Sequence, residues 1–154
     1  MDITKEEALE KITSRQYSSM EEHRVLMNIA YPDDKELFEI QKRSALEHFP
    51  PDEAEVKAKM AVDYIRTGER KTQEEIIQEN KPGIVKLASN FMRAVSRHVK
   101  SGAKQVDKET YEKRMSICDT CVFRQGNRCS HASCGCFLAK KASWESESCP
   151  IGRW

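Results

Sequence analysis

Residues 118–136 read CDTCVFRQGNRCSHASCGC, and a sixth cysteine follows at Cys149. All six cysteines of the 154-residue chain lie in this last segment: Cys118-x2-Cys121-x7-Cys129-x4-Cys134-x-Cys136-x12-Cys149, with His131 inside the run. Two cysteines separated by two residues can present both thiolates to one metal ion through a tight turn. Cys118-Asp119-Thr120-Cys121 has that spacing. Gly135, between Cys134 and Cys136, lets the backbone bend close to an ion. The segment holds few apolar residues and many turn formers, Gly126, Asn127, Gly135, Pro150 and Gly152 among them. It has almost no core of its own, and bound metal is the usual substitute in so small a module. The predicted cofactor is Zn2+, with Cys118, Cys121, Cys129, Cys134, Cys136 and Cys149 as candidate ligands. One tetrahedral zinc, two zincs sharing thiolates, and an iron–sulfur cluster all remain open on spacing alone. The run matches neither the bacterial nor the plant ferredoxin spacing. His131 reads as an exposed loop residue or a further ligand, and the exposed reading is preferred. Trp144 and Trp154 read as a lid over the metal loops.

Disulfides are the alternative use of six cysteines. The opening residues Met1-Asp2-Ile3-Thr4-Lys5-Glu6-Glu7 are acidic and polar, without the basic start and apolar stretch of a secretory signal. They predict a reducing cytoplasm, where clustered cysteines bind metal more readily than they oxidise.

Upstream, the pattern is helical. Thr4–Glu7 and Thr72–Glu75 fit capping boxes. Ser18-Ser19, Asp33 or Asp34, Asp52 and Asp107 stand where helices would open, and Pro32, Phe49-Pro50-Pro51 and Gly68 where they would close. The clearest helix spans about 82–100. Its Ile84, Leu87, Phe91, Val95 and Val99 step by three or four and share one face. His98 flanks that face as a packed residue. No stretch shows the period-two alternation of a strand. The predicted class is mainly α: an acidic helical region over 1–80, a basic amphipathic helix and connecting helix over 81–117, and an irregular, zinc-knuckle-like module over 118–154.

The net charge of +1 is a cancellation. Residues 1–80 carry 12 Lys+Arg against 19 Asp+Glu, whereas 81–114 carry 9 against 3. Such asymmetry suits docking to an oppositely charged partner. No apolar run reaches the roughly 20 residues of a membrane span. Hydrolase, metalloprotease, P-loop, dinucleotide and deaminase signatures are absent, and the acidic residues of the first half sit at helix-surface spacing. The chain therefore reads as a non-enzymatic interaction protein with protein partners and no small-molecule substrate. A nucleic-acid-binding regulator is the second reading, using Lys86, Arg93, Arg97 and Lys100, extended by Arg124, Arg128, Lys140 and Lys141.

Arg114-x-x-Ile117-Cys118-x-x-Cys121, Cys134-Gly135-Cys136-Phe137, Lys141 and the closing Cys149-Pro150-Ile151-Gly152-Arg153-Trp154 resemble the cysteine-rich C-terminal module of small proteins from tailed bacteriophages and some bacteria. The resemblance covers about 82–154. It departs in the four residues between Cys129 and Cys134, where the family usually has about two. It implies zinc binding and fixes no biochemical activity. The expected role is a phage structural or accessory component, located in the host cytoplasm or the virion.

Overall fold

The computed structural model describes residues 3–154 and divides the chain into two compact units, one ending at Ile76 and one running from Ile77 to Trp154. Eight helices and a two-stranded hairpin are present among the described residues. None of these helices is long and apolar enough to cross a membrane.

The first unit holds α1 (Lys5–Thr13), α2 (Met20–Ala30), α3 (Asp34–Leu46) and α4 (Pro51–Thr67). Its boundaries follow local chemistry. Thr4 and Glu7 form the reciprocal capping box of α1, Ser19 caps α2 and Asp33 caps α3. Helix α4 ends at Gly68, whose φ of +79° is the left-handed cap that glycine adopts without strain. One boundary differs from the sequence reading. Asp52 does not cap α4; the cap is Pro50, two residues earlier, and Pro51 opens the first turn. Proline has no N–H to satisfy and its φ is preset for helix, so the Pro50-Pro51 pair starts the helix without a side-chain cap. Asp52 instead lies buried in the first turn. Glu55 is also buried, paired with Lys59 and Lys42, so these two carboxylates are not part of a solvated face.

Helix α3 packs along α4, and α2 lies between α1 and α4. Ala8, Leu26 and Ala30 form one small core; Met27, Leu37 and Ile65 form the next. Arg66 ties them together by donating to Asp34 Oδ1 at 2.7 Å, Asn28 Oδ1 at 2.5 Å and the Tyr31 carbonyl at 2.8 Å.

The short α5 (Gln73–Glu79) opens with the Thr72–Glu75 capping box. The second unit then holds α6 (Ile84–Lys100), α7 (Lys108–Asp119), the hairpin β1 (Arg124–Gln125) and β2 (Arg128–Cys129), and α8 (Leu138–Ser143). Pro82 precedes α6 rather than opening it, and Gly83 is the cap. Asp107 caps α7. The cysteine segment is more regular than its composition suggests. Gly126 and Asn127 turn the hairpin, with Gly126 at φ +57°, and α8 packs on α7.

Candidate metal centre

Five of the six cysteines line one small cavity of about 30 Å³: Cys118, Cys121, Cys129, Cys134 and Cys149. His131, Lys141 and Trp154 complete much of its wall. Each thiol is placed by a local backbone device. Helix α7 runs on to Asp119 and so presents Cys118 in its last turn, and the Cys121 N–H then donates to the Cys118 carbonyl at 3.2 Å. Strand β2 carries Cys129, whose N–H donates to the Cys136 carbonyl at 3.2 Å. The Cys134 N–H donates to the His131 carbonyl at 2.9 Å. At the end of the chain the Cys149 N–H donates to the Trp154 carbonyl at 2.9 Å, which folds the last turn back over the cavity.

Cys136 does not line the cavity. It is buried with Cys134 and Ala94, beneath Phe91 and Trp144. Its sulfur lies 3.7 Å from the Cys134 carbonyl oxygen.

His131 differs from the sequence reading. It is 6 % exposed rather than a loop residue in water. Phe123 stands edge-on to its ring at a centroid distance of 4.9 Å, and its Nδ1 accepts from the Ser133 N–H at 3.2 Å. The tight 129–136 loop folds inward around the sulfurs and carries the histidine with it. His98 is packed as expected, stacked on Trp144 at 4.4 Å.

The electrostatics centre on Cys134. The thiols of Cys129 and Cys136 hydrogen-bond to it, and these contacts hold its pKa far below the ordinary thiol value. Lys141 assists: the residue is 7 % exposed and its ammonium donates to Cys134 Sγ at 3.3 Å. The same contacts with Cys134, together with burial, push the Cys129 and Cys136 thiols up. Burial pushes Cys118 up, against a smaller lowering from the Trp154 indole N–H beside it. That indole nitrogen is buried without a settled hydrogen-bond partner.

These features fit a thiophilic cation. The cavity is of ionic rather than substrate size, its wall is rich in sulfur, and a buried ammonium and an indole N–H face the sulfurs. Both donors stabilise thiolate over thiol. Among the described residues, no group of three or more His, Cys, Asp or Glu side chains is arranged so that it could hold a metal ion.

The basic residues read from the sequence are distributed differently. Lys86, Arg93 and Lys100 are exposed on α6. Arg97 is engaged by Glu147, through Nε to Oε1 and the second guanidinium nitrogen to Oε2, both at 2.8 Å. Arg124 pairs with Asp119, Arg128 lies over the Phe137 ring at 3.8 Å, and Lys141 is committed to Cys134. The extension of the basic surface into the module is thus largely consumed by internal contacts.

Sequence reasoning placed Lys141 in the basic extension and in the resembling motif, but not beside a cysteine. Its spacing from Cys134 carries no signal until α8 turns it back onto the sulfur. Compared with known proteins, the chain matches no family model, no curated protein and no solved structure.

Proposed function

We propose that the chain is a non-enzymatic interaction protein whose C-terminal unit is stabilised by zinc. The observation that carries this reading is the single ion-sized cavity lined by Cys118, Cys121, Cys129, Cys134 and Cys149. Cys136, buried behind Cys134 and outside the cavity wall, stays in the candidate set on its spacing in the sequence. Bound zinc supplies folding free energy, about 10–16 kcal/mol in zinc-finger peptides. A site with four protein ligands leaves no open position for water or substrate, so the metal is structural in this reading. A zinc ion with four thiolates carries excess negative charge, and the buried Lys141 offsets part of it.

The unit then serves to present a rigid helix, α6, to a protein partner. The resemblance to tailed-phage proteins extends the proposal to a component of a phage assembly, in the host cytoplasm or virion. Nucleic-acid binding is the second reading. It is favoured by the exposed row Lys86, Arg93 and Lys100 on a helix without an acidic residue, and weakened by the engagement of Arg97.

Native mass spectrometry of protein purified without chelator tests the central statement. The expected result is one or two zinc ions per chain. Less than one zinc per chain, or iron with inorganic sulfide, overturns the assignment.

A further inference from the structure

Two tetrahedral zinc ions that share two bridging thiolates still need six ligands between them. The chain has six cysteines, so a second ion requires every one of them. Spacing keeps Cys136 among the candidates, but its contacts point elsewhere.

The three cysteines of the 129–136 loop are not equivalent. At Cys129 the backbone N–H two residues on, that of His131, donates to the sulfur. At Cys134 the N–H two residues on, that of Cys136, does the same. Donors of this kind hold a sulfur in place and favour it as thiolate. At Cys136 the corresponding group is the Leu138 N–H, and it is taken by the Asn127 carbonyl at 2.9 Å, where α8 begins against the hairpin turn. Cys136 acts instead as a donor. Its thiol reaches back to the Cys134 carbonyl oxygen at 3.7 Å and to the Cys134 sulfur. The residue is 4 % exposed, packed with Ala94 and Cys134, and stands outside the cavity wall. Cys129 also touches Cys134, yet it lines the cavity and has the N–H donor that Cys136 lacks.

His131 does not supply the sixth ligand in its place. Its Nδ1 accepts from the Ser133 N–H at 3.2 Å. A neutral ring then carries its proton on Nε2, and neither nitrogen offers a lone pair to a metal.

We infer that Cys136 is a positioning residue rather than a ligand: its thiol orients Cys134 toward a single metal ion held by four of the other five cysteines. This rests on the zinc reading above and narrows it to one ion per chain. Cys134 is then fixed from three sides, by the Cys136 thiol, the Cys136 backbone N–H and the Lys141 ammonium.

The test uses full-length protein with cobalt(II) as the probe, because each thiolate ligand adds charge-transfer absorption to the cobalt spectrum. Wild type is expected to take one cobalt, displaced by one zinc. Cys136→Ser keeps a hydroxyl donor and is expected to keep both the spectrum and the stoichiometry. Cys134→Ser should lose thiolate absorption. Cys136→Ala removes the donor and is expected to bind zinc about tenfold more weakly, with the number of thiolates unchanged. Cys136→Val fills the volume without a donor and repeats that measurement, with circular dichroism reporting the fold of each variant. Lost thiolate absorption in Cys136→Ser overturns the inference. So do two ions per wild-type chain, or wild-type zinc affinity in Cys136→Ala and Cys136→Val. Wild type that binds neither cobalt nor zinc rejects the zinc reading itself, whereas metal-loaded Cys136→Ser with a thiolate missing rejects only the role given to Cys136.

Discussion

Gly135 lies directly against Leu87: a Cβ built on Gly135 would stand 2.0 Å from Leu87 Cδ2. The glycine also has φ +69°, which side chains rarely adopt. Its missing side chain therefore serves the packing of the Cys134–Cys136 loop against α6, and not only the curvature around an ion. Gly135→Ala meets both obstacles. It is predicted to destabilise the C-terminal unit by about 2 kcal/mol or more. Urea unfolding followed by tryptophan fluorescence reports this directly, because both tryptophans lie in that unit. A change below about 0.5 kcal/mol would show that the loop yields.

Arg97 and Glu147 form a second tie between α6 and the loops. The Glu147 side chain is 1 % exposed, whereas that of Arg97 is 54 % exposed. Arg97→Ala strands a buried carboxylate and is predicted to cost about 2 kcal/mol, toward the low end because water reaches the arginine side. Arg97→Lys should recover only part of this, since an ammonium cannot make the fork. A double-mutant cycle with Glu147→Gln measures the coupling. Additive effects would mean that the pair does not hold α6.

Lys141→Met removes the ammonium from Cys134 while keeping most of the buried volume. Loss of a group that supports a ligand typically lowers metal affinity by about 10–100-fold. Competition with a chromogenic chelator is expected to show that loss, with Lys140→Met, an exposed neighbour, as the control. Equal metal retention by both variants would remove Lys141 from the site.

Asp107 makes α7, and so the placement of Cys118, sensitive to acid. Its carboxylate accepts from the Thr110 N–H at 2.8 Å and the Thr110 hydroxyl at 2.7 Å, which lowers its pKa below the ordinary value of 3.8. A lowered acid contributes stability that is fully present above its unfolded value and is lost as pH falls through the folded one. Asp107→Asn keeps a capping oxygen but does not titrate there. Below pH 3.8 the variant should lose helicity less steeply than the wild type, as followed by circular dichroism. Parallel acid limbs would show that the cap carries none of this dependence.

Metal removal should act on one unit. With chelator, hydrogen exchange is predicted to rise across 84–154, where sulfur contacts stand in for a core, and to stay unchanged across α1–α4. Those helices keep their own cores around Leu26 and Leu37. A uniform rise along the chain would contradict this separation.

Much of the fold was legible because helix ends are chosen by nearest neighbours in sequence. Thr4 with Glu7, Ser19, Asp33, Thr72 with Glu75, and Asp107 satisfy N–H groups within a few residues of themselves. Gly68 closes α4 for an equally local reason. The misreading at Asp52 is local too, where two favourable starters adjoin and the proline pair prevails. The hairpin and α8 escaped notice because elements of two and six residues are too short to show a period.

The sequence by itself determined a helical protein with its sulfur confined to one end, since periodicity, capping and cysteine spacing are written in neighbouring residues. Only the tertiary structure decided that His131 is buried, that Lys141 faces Cys134 and that Arg97 is taken by Glu147. It alone decided that Ile84 and Val99, on the apolar face of α6, stand exposed. Those outcomes depend on residues 7 to 50 positions apart meeting in space, and no local pattern encodes such a meeting.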